Sequence, residues 1–163
     1  MESLEHHPQV LIIVQEAIKF SCVKERLTEE DFYRTLKEGQ EDTHSRFRYA
    51  LARGISSYLG HIDDNLESVY LYGSTMVANA NTASDIDLLV KVKSKDSKTR
   101  RVLELLDGCL IFAYKLLLIG LQININCMLD AHLIDDEDIK SRKDYGSLIT
   151  SFYTKPIKVW SRG

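Results

Sequence analysis

The residues of this 163-residue chain best placed to do chemistry together are Gly73-Ser74 and, after a ten-residue spacer, Asp85-Ile86-Asp87. Gly73-Ser74 closes the apolar run Val69-Tyr70-Leu71-Tyr72, and Asp85 opens a second run, Ile86 to Val90. Along a strand the side-chain period is two, so Asp85 and Asp87 face one way and Ile86 and Leu88 the other. Two carboxylates about 4 Å apart repel by about 4 kcal/mol at an effective dielectric of about 20. A fold tolerates that by keeping one of them protonated or by setting a cation between them. A hard divalent ion with oxygen ligands, Mg²⁺ first and Mn²⁺ next, suits such a pair and commonly brings substrate phosphates with it. The Gly-Ser bend supplies the complementary half: glycine lets a phosphate approach the backbone, and turn amides with the Ser74 hydroxyl can hold its oxygens. Ser84, just before the acidic pair, is a further candidate for nucleotide contact.

The elements that must position these groups can be read in order. Residues 1–7, including His6-His7, are expected to fray, with Pro8 at the first position of an amphipathic helix to about residue 24. Thr28 followed by Glu29, Glu30 and Asp31 reads as a second helix start, running to about residue 59 with Gly39 a weak point and Gly60 a C-cap. Its second half carries the apolar stripe Phe47, Leu51, Ile55, Tyr58 and Leu59. Strands are expected at about 67–72 and 85–93, then a helix at about 97–119 ended by Gly120. The alternating stretch Gln122 to Asp130 reads as a third, half-buried strand with Asp130 at its end on the polar side. Asp135 to Asp138 suits the start of a helix. Residues 143–153 look helical, and Lys158-Val159-Trp160 reads as an edge strand.

Composition narrows the functional classes. A net charge of −3 argues against a dedicated duplex-DNA binder. Cys22, Cys109 and Cys127 lie far apart in apolar surroundings and read as reduced thiols of a cytoplasmic protein. The start, MESLEHHPQ, lacks the pattern of a secretion signal. The longest apolar run, Cys109 to Leu121, contains Lys115 and is too short to span a bilayer, so no membrane association is expected.

The Gly73-Ser74 … Asp85-Ile86-Asp87 pattern, a strand ending in Gly-Ser and an Asp-x-Asp opening a second strand, resembles the polymerase-β-like nucleotidyltransferase superfamily. It is most similar to the minimal nucleotidyltransferases. The resemblance implies an α/β (α+β) fold with a mixed sheet of about four strands flanked by helices. Residues 44–163 would form the nucleotidyltransferase domain and 1–43 an N-terminal helical extension. It also implies a third carboxylate from a later strand, the role carried to Asp130. Asp85, Asp87 and Asp130 would then be metal ligands and catalytic residues, and Gly73, Ser74 and Ser84 would contact the nucleotide. The activity implied is transfer of a nucleoside monophosphate, AMP from ATP in the first instance, to an acceptor hydroxyl on a protein, nucleic acid or small molecule. Small proteins of this type resemble antitoxins paired with HEPN-type toxins, so a protein partner or a homo-oligomer is implied, with nucleic acid less favoured.

One departure weighs on this reading. Many similar proteins carry a basic residue just after the Gly-Ser; here Thr75-Met76-Val77-Ala78 follows, and no basic residue comes before Lys91. The basic run Lys91 to Arg101 reads first as a solvated face and second as a phosphate or partner contact. His132, two residues past Asp130, reads first as a surface histidine and second as one that approaches the site, while Asn124 and Asn126 are even between substrate contact and wet sheet surface. The rival readings are a catalytically weak nucleotide- or partner-binding module of the same fold and, more distantly, a metal-dependent phosphohydrolase.

Overall fold

A computed structural model describes residues 2–73, 85–119, 125–149 and 155–163. The elements run α1 (Glu2–Glu25), α2 (Glu29–Lys37), α3 (Glu41–Ile62), β1 (Leu66–Tyr72), β2 (Ile86–Val92), α4 (Ser97–Leu117), β3 (Leu129–Ile134), α5 (Asp136–Ser141), α6 (Gly146–Ile149) and β4 (Ile157–Ser161). The strands form one mixed sheet in the order β3-β2-β1-β4. β1 is antiparallel to β2 and β4, and β2 is parallel to β3. This is the expected mixed four-stranded sheet flanked by helices.

The sheet has two unlike faces because its strands alternate. Val69 and Leu71 of β1 and Ile86, Leu88 and Val90 of β2 are buried in one core with Phe47, Leu51, Ile55 and Leu59 of α3 and Leu106 and Leu110 of α4. α1 packs against α3 and α4 on the same side, adding Val10, Ile13, Val14 and Ala17. The intervening residues Tyr70, Tyr72, Asp87 and Lys91 are only half-buried. The period-two rule therefore puts the carboxylates on the face turned away from the helices.

Several elements depart from the expected boundaries, each for a local physical reason. α1 begins at Glu2 with Pro8 inside it, so residues 2–7 are helical rather than frayed. His6 Nδ1 lies 2.7 Å from the Tyr58 hydroxyl and the His7 ring meets Phe112 edge-on, which pins this turn to α3 and α4 despite the donor that proline removes. Thr28 caps α2 by accepting from Asp31 N at 3.1 Å, as expected. The single long helix divides at Gly39, where φ is +76°. Gly60 is not a C-cap: it lies inside α3, and a Cβ there would come within 2.1 Å of Trp160 Cζ2. Its missing side chain is what lets β4 lie against the helix.

The third strand begins late. Residues 122–124 lie outside the described residues, and 125–128 are not in a strand. The ladder starts where Asp107 of α4 accepts from both Met128 N (2.7 Å) and Leu129 N (2.9 Å), while Met128 O takes Ile86 N at 2.7 Å. Asp130 is therefore the second residue of β3 rather than the last of a strand, and Asn126 is exposed before it. Asp135 and Asp138 close a reciprocal capping box on α5. Of the helical stretch expected at 143–153, Gly146–Ile149 is α6; Gly120 and residues 150–153 lie outside the described residues. The expected edge strand is β4, paired with β1.

Candidate functional site

Strand register assembles the acidic cluster. Tyr72 of β1 stands opposite Asp87 of β2, and Asp87 opposite Asp130 of β3. These three share one row across the sheet, and Asp85 sits two residues before Asp87 on the same face. Asp85, Asp87 and Asp130 each offer a carboxylate oxygen, and these oxygens all lie within 4.8 Å of one another. All three residues are partly exposed. Asp107 acts one step behind them: by holding the first amides of β3, it sets which residue of that strand faces Asp87.

The cluster is electrostatically strained. The Asp87 carboxyl is pushed up to about 7, first by burial, then by the charges of Asp85 and Asp130, and by its hydrogen bond with Asp130. The Tyr72 hydroxyl is held above its ordinary value by burial and by the same carboxylates. The Cys127 thiol, which donates to Leu129 O at 2.9 Å, is pushed up to about 12 by burial and by Asp107, Asp85 and Asp130. In all three groups burial is the first cause and the shared negative charge the second; a bound cation would relieve the second. An all-carboxylate donor set of this kind fits a hard divalent ion.

Gly73 is required twice over. Its φ of +80° is a conformation that side chains disfavour, and a Cβ there would lie 2.0 Å from Asp87 Oδ2. The bend therefore presses directly on the acidic cluster. Ser74 and Ser84, the other two candidates for nucleotide contact, lie outside the described residues, as does Asn124.

Besides His132, weighed second from sequence as approaching the site, Tyr145, His44 and Arg48 lie near the cluster and were not singled out. His132, read first as a surface residue, has Nε2 3.1 Å from Asp130 Oδ1, at ion-pair distance though without hydrogen-bond alignment. Its ring stacks on Tyr145 at 3.8 Å and 16°, and Tyr145 in turn lies 6.4 Å from the Tyr72 ring. The signal was present in the spacing, since a residue two positions after Asp130 in a strand must share its face. Beneath the sheet, Arg48 of α3 is fully buried; burial disfavours its charge, which the Tyr114 hydroxyl and, to a lesser degree, the Asp85 carboxylate favour. Arg48 Nη1 donates to His44 Nδ1 at 2.8 Å, and its guanidinium lies 5.0 Å from the centre of the Tyr114 ring. Positions 44, 48, 51 and 55 fall on one helical face, so His44 and Arg48 extend the apolar stripe of Leu51 and Ile55.

The basic run behaves in two ways. Lys91 is ion-paired with Glu67 and with Asp136, and Lys95 with Asp138 at 2.7 Å. These pairs tie α5 to β2 and to the loop before α4, and they engage the two lysines with protein carboxylates.

No protein-family model and no curated protein sequence matches the chain. Among solved structures it is similar to that of a "putative nucleotidyltransferase" from Sulfolobus solfataricus, at 22% identity, covering 76% of this chain and 90% of that one, with a TM-score of 0.43. At that level of likeness, the chemistry of this site has to be read from its own side chains. Among the described residues no helix is long and apolar enough to cross a membrane, and all three cysteines are free.

Proposed function

We propose that the chain is a metal-dependent nucleotidyltransferase that moves a nucleoside monophosphate, AMP from ATP in the first instance, onto an acceptor hydroxyl. The observation that carries this is the convergence of Asp85, Asp87 and Asp130 from two adjacent strands, with carboxylate oxygens within 4.8 Å of one another beside the Gly73 bend. Asp85 and Asp87 would hold a divalent ion, Mg²⁺ or Mn²⁺, with Asp130 as a shared ligand. An ion held there would supply neutralisation of triphosphate charge and stabilisation of the attacking and leaving oxygens.

The chain's own residues then have separable tasks. Asp130, on the strand beside Asp87, is placed to take the acceptor's proton. The acceptor oxygen bonds to the α-phosphorus, the bond from that phosphorus to the bridging oxygen of the β-phosphate breaks, and pyrophosphate leaves. Gly73 keeps the bend close enough for its backbone to meet the phosphates, with Ser74 and Ser84 as further contacts. Asp107 holds Asp130 in register, and the buried Arg48 partly offsets the charge of Asp85. Positioning and charge neutralisation supply most of the acceleration in such transfers. The acceptor is a protein such as a HEPN-type toxin, a nucleic acid or a small molecule, met by a cytoplasmic protein.

A second reading has a specific observation in its favour. With no basic residue between Gly73 and Lys91, and with Lys91 held by Glu67 and Asp136, side-chain charge for a triphosphate is scarce. That favours a catalytically weak nucleotide- or partner-binding module of the same fold. Incubation with α-labelled ATP, Mg²⁺ and candidate acceptors separates the two. Transfer of label that drops at least about a hundredfold in Asp85→Asn and Asp87→Asn supports the transferase, as expected when an ion worth several kcal/mol of transition-state stabilisation is lost. Binding of Mg²⁺–ATP with no labelled product supports the module, and release of inorganic phosphate without transfer points to hydrolysis.

A further inference from the structure

β3 is the last strand on its side of the sheet, so its outward amides and carbonyls have no strand partner among the described residues. A cleft of about 610 Å³ runs along that edge, bounded by Ala131 to Ile134 on one side, by Tyr145 and Leu148 of the α5–α6 corner, and by Lys95 and Arg100. The volume is in the range of small-molecule sites. His132 lines this cleft and also lies 3.1 Å from Asp130, so the cleft adjoins the carboxylate cluster through that one residue.

The wall formed by Tyr145 is unusually fixed for a surface aromatic. One ring face is covered by His132 at 3.8 Å, yet the residue remains 38% exposed. The turn that presents it contains two non-glycine residues with positive φ, Arg142 (+53°) and Asp144 (+46°). Arg142 is the left-handed C-cap of α5, and Asp is one of the residues that visits this region readily, so both φ values belong to the end of the helix and its turn. Here Arg142 N bonds back to Ile139 O and Lys143 N to Asp138 O, locking the corner over the edge of β3.

A rigid aromatic plane, a strand edge offering donors and acceptors in its own plane, and a metal-binding cluster next door match one ligand chemistry. We infer that this cleft binds a nucleobase, with Tyr145 as its stacking surface and the free edge of β3 facing the base's polar rim. The inference rests on the nucleotidyltransferase reading above and assigns the base-binding surface to a part of the chain that follows the third carboxylate. The base belongs either to the donor triphosphate or to an acceptor nucleotide.

The test compares binding of Mg²⁺–ATP and Mg²⁺–tripolyphosphate to the wild type, Tyr145→Ala and Tyr145→Phe by calorimetry. Stacking of one base on an aromatic ring is lost at about 1–3 kcal/mol on truncation, so Tyr145→Ala should weaken ATP about fivefold or more. Tripolyphosphate should be unaffected, and Tyr145→Phe should bind ATP like the wild type. A parallel titration with a short oligoadenylate, with Mg²⁺–tripolyphosphate saturating, identifies the source: weakening there with ATP unchanged assigns the platform to an acceptor base. Overturning results are Tyr145→Ala that leaves both ATP and oligoadenylate unchanged, or one that weakens tripolyphosphate as much as ATP. The latter would make Tyr145 only a support for His132 and Asp130. A wild type that binds neither ATP nor tripolyphosphate with Mg²⁺ rejects the transferase reading itself, and this one with it.

Discussion

Two ionisable clusters lie on opposite faces of the same sheet, and they resolve the cost of burying polar groups in opposite ways. Under the sheet, His44 donates from Nε2 to Leu36 O at 2.8 Å, and Nδ1 faces both Arg48 Nη1 and the Tyr114 hydroxyl, each at 2.8 Å. The cluster contains one permanent cation, a neutral histidine and an aromatic face, so its members satisfy one another. On the open face, three acidic side chains converge with His132 beside them, 3.1 Å from Asp130, and Asp87 answers by holding its proton to about 7. Closed networks stabilise a fold, whereas a like-charge cluster carries repulsion that a retained proton or a bound cation relieves. The difference separates the part of this molecule built for stability from the part built for binding.

The largest expected effect breaks the buried cluster. Arg48→Ala removes a fully buried side chain and leaves His44 and Tyr114 short of a partner, and should destabilise the protein by about 3–5 kcal/mol in urea denaturation. A loss under about 1 kcal/mol would show that the network is dispensable.

Acid probes the same cluster more gently. Burial, then the Arg48 charge, lowers His44 to about 4 from an ordinary 6.5. Between those values the unfolded chain binds a proton that the folded chain refuses, so stability rises with pH through this window and is lost as pH falls from about 6.5 to 4. The loss attributable to His44 is about 3 kcal/mol. His44→Gln, which has nothing to titrate there, should show a shallower decline in denaturant midpoint over that range; an equally steep decline would assign the acid sensitivity elsewhere.

Gly73→Ala tests the open face. The added methyl must displace Asp87, whose Oδ2 it would approach to 2.0 Å, and it also strains the backbone at φ +80°. We expect about 1–2 kcal/mol of destabilisation and at least about tenfold weaker Mn²⁺ binding in calorimetry. Unchanged Mn²⁺ affinity would separate the bend from the carboxylates.

The smallest and most diagnostic effect has the opposite sign from usual mutational damage. A raised carboxyl pKa means the folded chain keeps a proton that the unfolded chain has already released, so Asp87 erodes stability as pH rises from about 4 to 7. Asp87→Asn should therefore be modestly more stable than the wild type at pH 8 and should decline more steeply with acid, because it no longer offsets His44. In the wild type, Mn²⁺ binding at pH 7 should release a proton, seen as a dependence of binding enthalpy on the buffer. No proton release and no stabilisation in Asp87→Asn would mean the three carboxylates do not repel in solution.

Much of this site was legible without coordinates because its information is local. A period of two places Asp85 and Asp87 together and a Gly-Ser after an apolar run marks the bend, whereas the third carboxylate, Asp130, followed from the resemblance to nucleotidyltransferases and not from local pattern. The start of β3 was not legible, since it depends on an Asp107 carboxylate twenty-one residues from Met128 in sequence, in contact with it only through the fold. Gly60 misled for the same reason: a glycine late in a helix signals a cap locally, and only the packing of Trp160 shows that it makes room instead.

Alternation, spacing and residue type were thus enough to place β1, β2 and β4 and the carboxylate-bearing face of β2. Tertiary structure alone decided that Asp130 stands beside Asp87, that Arg48 sits buried near Asp85, and that Tyr145 closes over the edge of β3. Side-chain direction along a strand is a property of neighbouring residues, whereas register between strands and the burial of a charge depend on groups brought together from far along the chain.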